Sequence, residues 1–341
     1  MSSNRIVGFI TTRVLPIVAL AGLSFGGGQA LAMDARLGHV FGEGHPRTIA
    51  MQRFAAEVGK NTGGKITLKV YGNSQLGAEG QMLMAVQSGT LEFYLGSLAP
   101  ISPRKKELQI FDFPFLFAND DEAKRILDGA MGKHLLDDMG DTGALGLVWS
   151  GGAFRHIANS RRPIKAFEDL KGLKIRVMQT PVAMDSFKAM GVNPTPMAYS
   201  EIYTALEIKA IDGFENPPVD MYTLKFYEVQ KYLAISNHVY TPIALMVSKK
   251  WFSALPADQQ KAVMKAAETA REVQRSEEIR QAKDAVDKLK GAGMVVTELS
   301  SEDLGKMRKA VQPVIDKYSE SIGKDFVKAF YAEIDKVRKS K

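Results

Sequence analysis

The sequence contains no cysteine, and that absence removes disulfide scaffolds, thiolate zinc sites and cysteine nucleophiles together. Histidine is scarce as well. His39, His45, His134, His156 and His238 share no metal-ligand spacing, so each is read as an ordinary hydrogen-bonded side chain, and neither a metal nor a cofactor is expected. A strong charge imbalance is also missing. Of the net charge of +7, Arg5 and Arg13 belong to an N-terminal stretch without acids, which leaves +5 on the rest. The basic pairs Lys105-Lys106 and Arg161-Arg162 have no interleaved aromatics, so no nucleic-acid partner is expected. Beyond residue 32 no apolar run approaches the roughly 20 residues that cross a membrane. The glycines Gly26-Gly27-Gly28 fall in the N-terminal stretch, and no P-loop, dinucleotide fingerprint or nucleophile elbow occurs elsewhere.

What is present begins with a secretory pattern. Arg5 and Arg13 precede an apolar run from Val14 to Phe25, and Ala30-Leu31-Ala32 has the small-x-small form of a cleavage site. Residues 1–32 are therefore expected to be a cleaved signal peptide that delivers the chain to a periplasm. The mature part is 45% hydrophobic when judged by the whole chain, enough for a packed core in two or three domains.

Strand and helix periods alternate through the first half. Ala35 to Phe41, Ile66 to Tyr71 and Leu91 to Leu98 read as strands, with helical spacing over Pro46 to Val58 and Ala78 to Gln87. This βαβαβ order predicts a parallel sheet with a ligand crevice at its strand ends. The middle repeats the pattern: strands over Leu145 to Ile157 and Lys174 to Val177, helices over Val182 to Met190 and Ser200 to Leu206, and an extended run from Val239 to Ser248. Two such units predict two lobes around a cleft, with the runs near Trp149 and Pro242 passing between them. From Ala257 to Lys290 there is neither proline nor glycine, which predicts a helix of about 50 Å that crosses both lobes. Its apolar spacing widens around Glu277, where a bend is expected. Asp120-Asp121 after Asn119, and Ser300 with Asp303, read as helix N-caps, and the tail from Lys336 to Lys341 reads as a solvated end.

Three constellations carry chemistry. Phe154-Arg155-His156 sits in a strand-like segment, and Arg176 lies inside a short strand between Ile175 and Val177. Alternation puts Arg176 on the face of Lys174, toward solvent or a cleft. Its planar fork suits a carboxylate, and on these grounds alone it serves equally as half of a structural salt bridge or as a ligand clamp. The third runs from Gly191 to Met221. Pro194 and Pro196 force an extended approach to Tyr199 and Ser200, Asp212-Gly213 makes a tight turn, and Asn216 before Pro217 is held out of the helical region with its amide free to project.

Taken in order, Ser74-Gln75-Leu76-Gly77, Phe113-Pro114-Phe115-Leu116-Phe117, the strand from Gly172 to Val177, Pro194-Thr195-Pro196-Met197 and Asp212 to Pro217 resemble the solute-binding receptors of TRAP (tripartite ATP-independent periplasmic) transporters, of the dicarboxylate-receptor type. The resemblance spans essentially the whole mature chain. It implies an α/β, two-lobed periplasmic binding protein fold with a long helix spanning both lobes. Lobe I would comprise 33–152 plus 242–280, and lobe II 153–241 plus 281–341. It also implies a monomer, not an enzyme, that binds a small organic acid and delivers it to the subunits of a TRAP membrane permease.

By the same resemblance Arg176 is the main carboxylate clamp, Arg155 and Asn216 add polar contacts, and Tyr199 packs on the ligand. Phe41, Glu79 and Ser97 match places where substrates are selected. Val40 and Ser97 stand where sialic-acid receptors carry polar or acidic groups, which argues against a sialic acid. Ser150-Gly151-Gly152 and Phe214 depart from the family pattern toward a more apolar pocket. A C4-dicarboxylate is the default ligand, ahead of 2-oxo, hydroxy or aromatic monocarboxylates. The alternatives are a periplasmic sensor that presents its ligand to a membrane kinase and, with less support, an enzyme using Glu79 or Glu215 as a base, for which no base and nucleophile pair is apparent.

Overall fold

The computed structural model describes residues 33–340, together with the isolated Gly8; the expected signal peptide and its cleavage site otherwise lie outside the described residues. The βαβαβ start is present as β1 (Met33–Gly38), α1 (Pro46–Asn61), β2 (Ile66–Tyr71), α2 (Glu79–Ser88) and β3 (Phe93–Gly96), with β1 parallel to both of the other strands. Next come α3 (Asp120–Asp128), α4 (Ala130–Asp137), the 16-residue β4 (Ala144–Asn159), β5 (Lys174–Val177), α5 (Pro181–Ala189), β6 (Asn193–Pro196), α6 (Ile202–Glu207), β7 (Gly213–Asn216) and α7 (Pro218–Thr223). The 17-residue β8 (Tyr232–Ser248), α8 (Lys249–Ala254), α9 (Ala257–Gly291), β9 (Val295–Glu298), α10 (Ser301–Ile322) and α11 (Lys324–Lys339) follow.

The strands form one mixed sheet in the order β2-β1-β3-β8-β4-β7-β5-β6, with β9 also paired to β8. β4 and β8 run antiparallel along their full lengths, and everything else attaches to one end or the other of this ribbon. Ala244–Val247 of β8 pairs with β3, whereas His156–Asn159 of β4 pairs with β7. Register shifts between Gly146 and Val148, Trp149 and Gly151, and Arg155 and Ile157 mark irregularities that bend and twist the ribbon between its two halves. The two extended runs expected near Trp149 and Pro242 are thus the shared strands of a two-lobed fold.

Three apolar clusters fill the halves. One contains Phe54, Phe93, Trp149 and Phe330; the others centre on Ile175, Phe187 and Met307, and on Phe214, Phe226 and Leu289. Helix α9, 35 residues and about 50 Å long, gives Val263, Ala266 and Ala270 to the first cluster and Leu289 to the third. Helix α10 likewise gives Met307 and Val311 to the second and Tyr318 and Ile322 to the first, and α11 returns Phe330, Ile334 and Val337 to the first.

Several local expectations need correction. Helix α9 runs from Ala257 to Gly291, through Glu277. The wide apolar spacing there marks a polar contact face: Gln274 is wholly buried and accepts from the Ser150 hydroxyl, while Glu278 accepts from the Gly152 amide at 3.3 Å. The cap of α3 is Asn119, whose Oδ1 accepts from Glu122 N at 2.9 Å; Asp120 and Asp121 lie inside the first turn and complement the helix dipole. Ser300 does cap α10, accepting from Asp303 N at 3.1 Å. Strands β7 and β9 were not expected, since each is only four residues long and β7 follows a turn signal directly.

Gly213 shows how closely β7 approaches β4. A Cβ there would lie 2.1 Å from the Ala158 carbonyl oxygen and 2.8 Å from Asn159 Cα, both backbone. Gly305, inside α10, would meet nothing within 4 Å. Gly213→Ala should therefore cost about 1 to 3 kcal/mol by overpacking, whereas Gly305→Ala should add about 0.5 to 1 kcal/mol by favouring helix. Urea midpoints moving in opposite directions are the expected result; a neutral Gly213→Ala would contradict this packing.

Candidate functional site

All seven residues singled out from the sequence line one cavity. Phe41 follows the end of β1, Ser97 the end of β3, and Glu79 opens α2; Arg155 is in β4, Arg176 in β5, Tyr199 in the turn after β6, and Asn216 ends β7. The parallel strands of both halves thus aim their carboxyl ends at one crevice, as open α/β sheets do. Sequence reading had not assigned Arg47, Met178, Pro217, Asp220, Thr241 or Ile243, which complete the lining with Val40. Charged and polar side chains share this lining with Val40, Phe41, Met178, Pro217 and Ile243.

The three arginines differ in what neutralises them. Arg155 is 5% exposed and is gripped by Glu215. Its Nε donates to Glu215 Oε2, and its Nη2 donates to Glu215 Oε1 at 2.8 Å and to the Glu215 carbonyl at 2.6 Å. Burial works to raise the Glu215 carboxyl, but the charge of Arg155 and hydrogen bonds from His238 and Arg155 outweigh it and hold the group down at about 2.

Arg47 is bound in the same way. Its Nη1 donates to Asp220 Oδ2 at 3.1 Å, and its Nε lies 3.4 Å from Glu278 Oε1 of α9. The guanidinium also stacks 4.5 Å from the centroid of Phe41. Burial raises the Asp220 carboxyl, and the charge of Arg47 with the bond from His45 reverses that to about 2. His45 caps α1 with Nδ1, which accepts from Arg47 N at 3.1 Å, so its proton sits on Nε2 and is donated to Asp220 Oδ1 at 2.9 Å. Burial keeps this imidazole below its usual pKa.

Arg176 has no such partner. It is 3% exposed, yet no carboxylate among the described residues lies within ion-pair distance; Nε and Nη2 both donate to a single acceptor, the Met197 carbonyl, at 2.9 and 2.7 Å. Burial pushes its guanidinium down to about 10, with the negative charge of Glu215 opposing, so it remains charged at neutral pH. The β5 alternation therefore resolves as expected for a cleft: Lys174 is exposed, and Arg176 is buried against the cavity.

Hydrogen-bonding groups surround this charge. Asn216 Nδ2 donates to the Tyr199 hydroxyl at 3.0 Å, leaving the amide oxygen for another donor. Glu79 Oε1 accepts from Tyr94 OH and Ser97 Oγ, each at 3.3 Å, and burial raises its carboxyl against the charge of Arg176. Phe41 and Tyr199 close one side, their ring centroids 6.4 Å apart. Among the described residues, no group of three or more His, Asp or Glu is placed to hold a metal ion, and no helix is long and apolar enough to cross a membrane. One signal for Arg47 did exist in the sequence: a cation in the first turn of a helix opposes the helix dipole and needs a reason to be there.

Residues 37–321 match the model of the bacterial extracellular solute-binding proteins of family 7. The structure is similar to the sugar acid binding protein of Advenella mimigardefordensis in complex with galactonate, with 40% identity, 89% of this chain and 98% of that one covered, and a TM-score of 0.87. It is also similar to a TRAP periplasmic solute-binding protein from a Polaromonas species bound to D-erythronate, with 34% identity, 87% and 98% covered, and a TM-score of 0.84. In sequence it is 31% identical to a C4-dicarboxylate-binding periplasmic protein of Rhodobacter capsulatus, over 87% of this chain and 90% of that one. The chain belongs to family 7 of the bacterial extracellular solute-binding proteins, the solute-binding receptors of TRAP transporters.

Proposed function

We propose that this receptor captures a polyhydroxy acid with a single carboxylate, an aldonate or a uronate, and hands it unchanged to a TRAP permease in the membrane. The observation that carries this reading is the allocation of charge around the cavity. Arg155 and Arg47 are already paired with Glu215 and with Asp220 and Glu278, whereas Arg176 is the cavity arginine with no ion-pair partner among the described residues. A ligand carboxylate supplies the missing charge through the planar fork of Arg176. A second carboxylate would meet no second free cation and, on the side of Glu79, an acid. The C4-dicarboxylate default gives way on this ground to a monocarboxylate whose hydroxyls engage Glu79, Ser97, Asn216 and Tyr199. The ligands of the galactonate and D-erythronate complexes have this chemistry.

Within this reading the lobes are 33–152 plus 242–280 and 153–241 plus 281–341, with α11 packed back on the first apolar cluster. Phe41, Glu79 and Ser97 then approach the ligand from one lobe, and Arg155, Arg176, Tyr199 and Asn216 from the other. Contacts from both sides coexist only in the closed form, so ligand shifts the population toward closure, and the permease reads the closed shape.

Arg176→Ala should cost about 2 to 5 kcal/mol of binding, because the ligand carboxylate loses its only free counter-charge, and Arg176→Lys should lose much of it through the missing fork. Calorimetry on folded variants decides this; an Arg176→Ala protein within threefold of wild type sinks the clamp.

A thermal-shift screen of sugar acids, their methyl esters and succinate should stabilise the protein in that order, acids well ahead of both others. Succinate outranking every sugar acid would overturn the single-carboxylate reading.

Small-angle scattering should give a smaller radius of gyration at saturating ligand. An identical curve with and without ligand would argue for a rigid pocket.

A further inference from the structure

The ligand cavity has a neighbour. Ser97, Met178 and Thr241 line both the cavity that contains Arg176 and a second, much smaller space, with room for little more than one water or one hydroxyl, whose other walls include Asp112, Ser102 and Pro242. Two polar atoms on those walls are buried without a hydrogen-bond partner, Asp112 Oδ2 and Thr241 Oγ1, in residues 7% and 9% exposed. They come from distant parts of the chain. Asp112 precedes the Phe113-Pro114-Phe115 turn, and Thr241 lies in β8, opposite Ala153 of β4.

Buried polar groups are nearly always paired, and an unpaired one is costly, so two that converge on one space next to a ligand cavity call for an occupant. The chemistry of the walls limits what that occupant is. No arginine or lysine lines this space among the described residues, and an aspartate does, so an anion is disfavoured. Burial pushes the Asp112 carboxyl up to about 7, against the Thr180 hydroxyl and the charge of Arg155, so at neutral pH both protonation states are present and the group can accept or donate. A threonine hydroxyl does both as well. The matching partner is a neutral group that donates and accepts at once, which is an alcohol.

We propose that Asp112 and Thr241 form a hydroxyl-reading end of the binding site, taking a hydroxyl from the part of the sugar-acid chain furthest from the carboxylate held by Arg176. This rests on the single-carboxylate reading and extends it. Arg176 recognises that the ligand is an acid, and Asp112 with Thr241 recognise that its chain is long and hydroxylated. A site built to hydrogen-bond a hydroxyl rejects ligands that lack it, because its own polar atoms are then left unpaired. The same aspartate turns away a ligand whose far end is a second carboxylate.

The test is calorimetry of wild type, Asp112→Asn, Thr241→Val and Thr241→Ser with D-galactonate and with the two-carbon-shorter D-erythronate. The ratio of galactonate to erythronate affinity should be high in wild type, fall at least tenfold in Asp112→Asn and Thr241→Val, and recover in Thr241→Ser, which keeps the hydroxyl. Both substitutions nearly preserve volume, and circular dichroism with a ligand-free melting curve verifies the fold of each. If one variant fails to fold, the other still decides. A lower melting temperature with an unchanged affinity ratio would mean that ordered water occupies the space, and would overturn the inference. So would equal weakening toward both acids, or a wild type that binds erythronate and not galactonate. Those results leave the single-carboxylate reading standing, whereas a wild type that binds no sugar acid at all overturns that reading and this one together.

Discussion

A buried arginine without a counter-charge is the arrangement on which the rest of this site depends. Taking a guanidinium out of water is expensive unless a carboxylate compensates it, and the protein supplies that compensation twice, to Arg155 through Glu215 and to Arg47 through Asp220 and Glu278. Arg176 has no such close carboxylate among the described residues, and its side chain donates to the Met197 carbonyl. On the proposed function, a ligand carboxylate supplies the close ion-pair partner that Arg176 lacks. The two paired arginines present hydrogen-bond donors without net charge, so they shape the cavity without competing for the anion. Glu215 also places a backbone constraint on the site, because its carbonyl as well as its carboxylate accepts from Arg155, which fixes β7 against β4 next to Asn216.

How legible this was in the sequence varied with the kind of signal. Strand β5 was read with the bounds it has, because Ile175 and Val177 alternate with charged residues and a turn precedes them. The ribbon strands β4 and β8 were read at their apolar centres, Leu145 to Ile157 and Val239 to Ser248. The first half of β8, with Asn237 and its left-handed φ of 45°, carries no strand pattern and was missed. Strand β7 was hidden behind Asp212-Gly213, since the glycine that signals a turn is there to let two backbones approach. The apparent irregularity at Glu277 is a different lesson. Apolar periodicity lapses where α9 exchanges hydrophobic for polar contacts with Ser150 and Gly152, so the gap in the pattern marked a polar interface within the protein.

Within the site, Arg176, Arg155, Asn216, Tyr199, Phe41, Ser97 and Glu79 were singled out, the first three from their own segments, and all seven were given a ligand role by the resemblance to TRAP receptors. Asp220 and Thr241 were not. An acid in the first turn of a helix is what the dipole favours anywhere, so Asp220 carried no message. Thr241 is one polar residue in a long extended run, and only three-dimensional packing puts it on the same cavity wall as Asp112. Arg47 falls between these cases: it offends the dipole of α1, a departure with a physical cause, but its partners Asp220 and Glu278 are far away in sequence and could not be named from it.

Those partners also explain how one helix can serve a cavity it does not line. Glu278 of α9 reaches Arg47 of α1, Arg47 reaches Asp220 of α7, and Asp220 holds His45 at the start of α1. The chain of contacts joins the long helix to both groups of ligand-facing elements. Gln274, one turn earlier, fixes α9 to Ser150 in the middle of the shared strand β4. Any change in the relative placement of α1 and α7 must therefore stretch or repair ion pairs that are buried, and broken buried pairs are costly. In this geometry all of these contacts are made at once, so each buried charge in the series is paired.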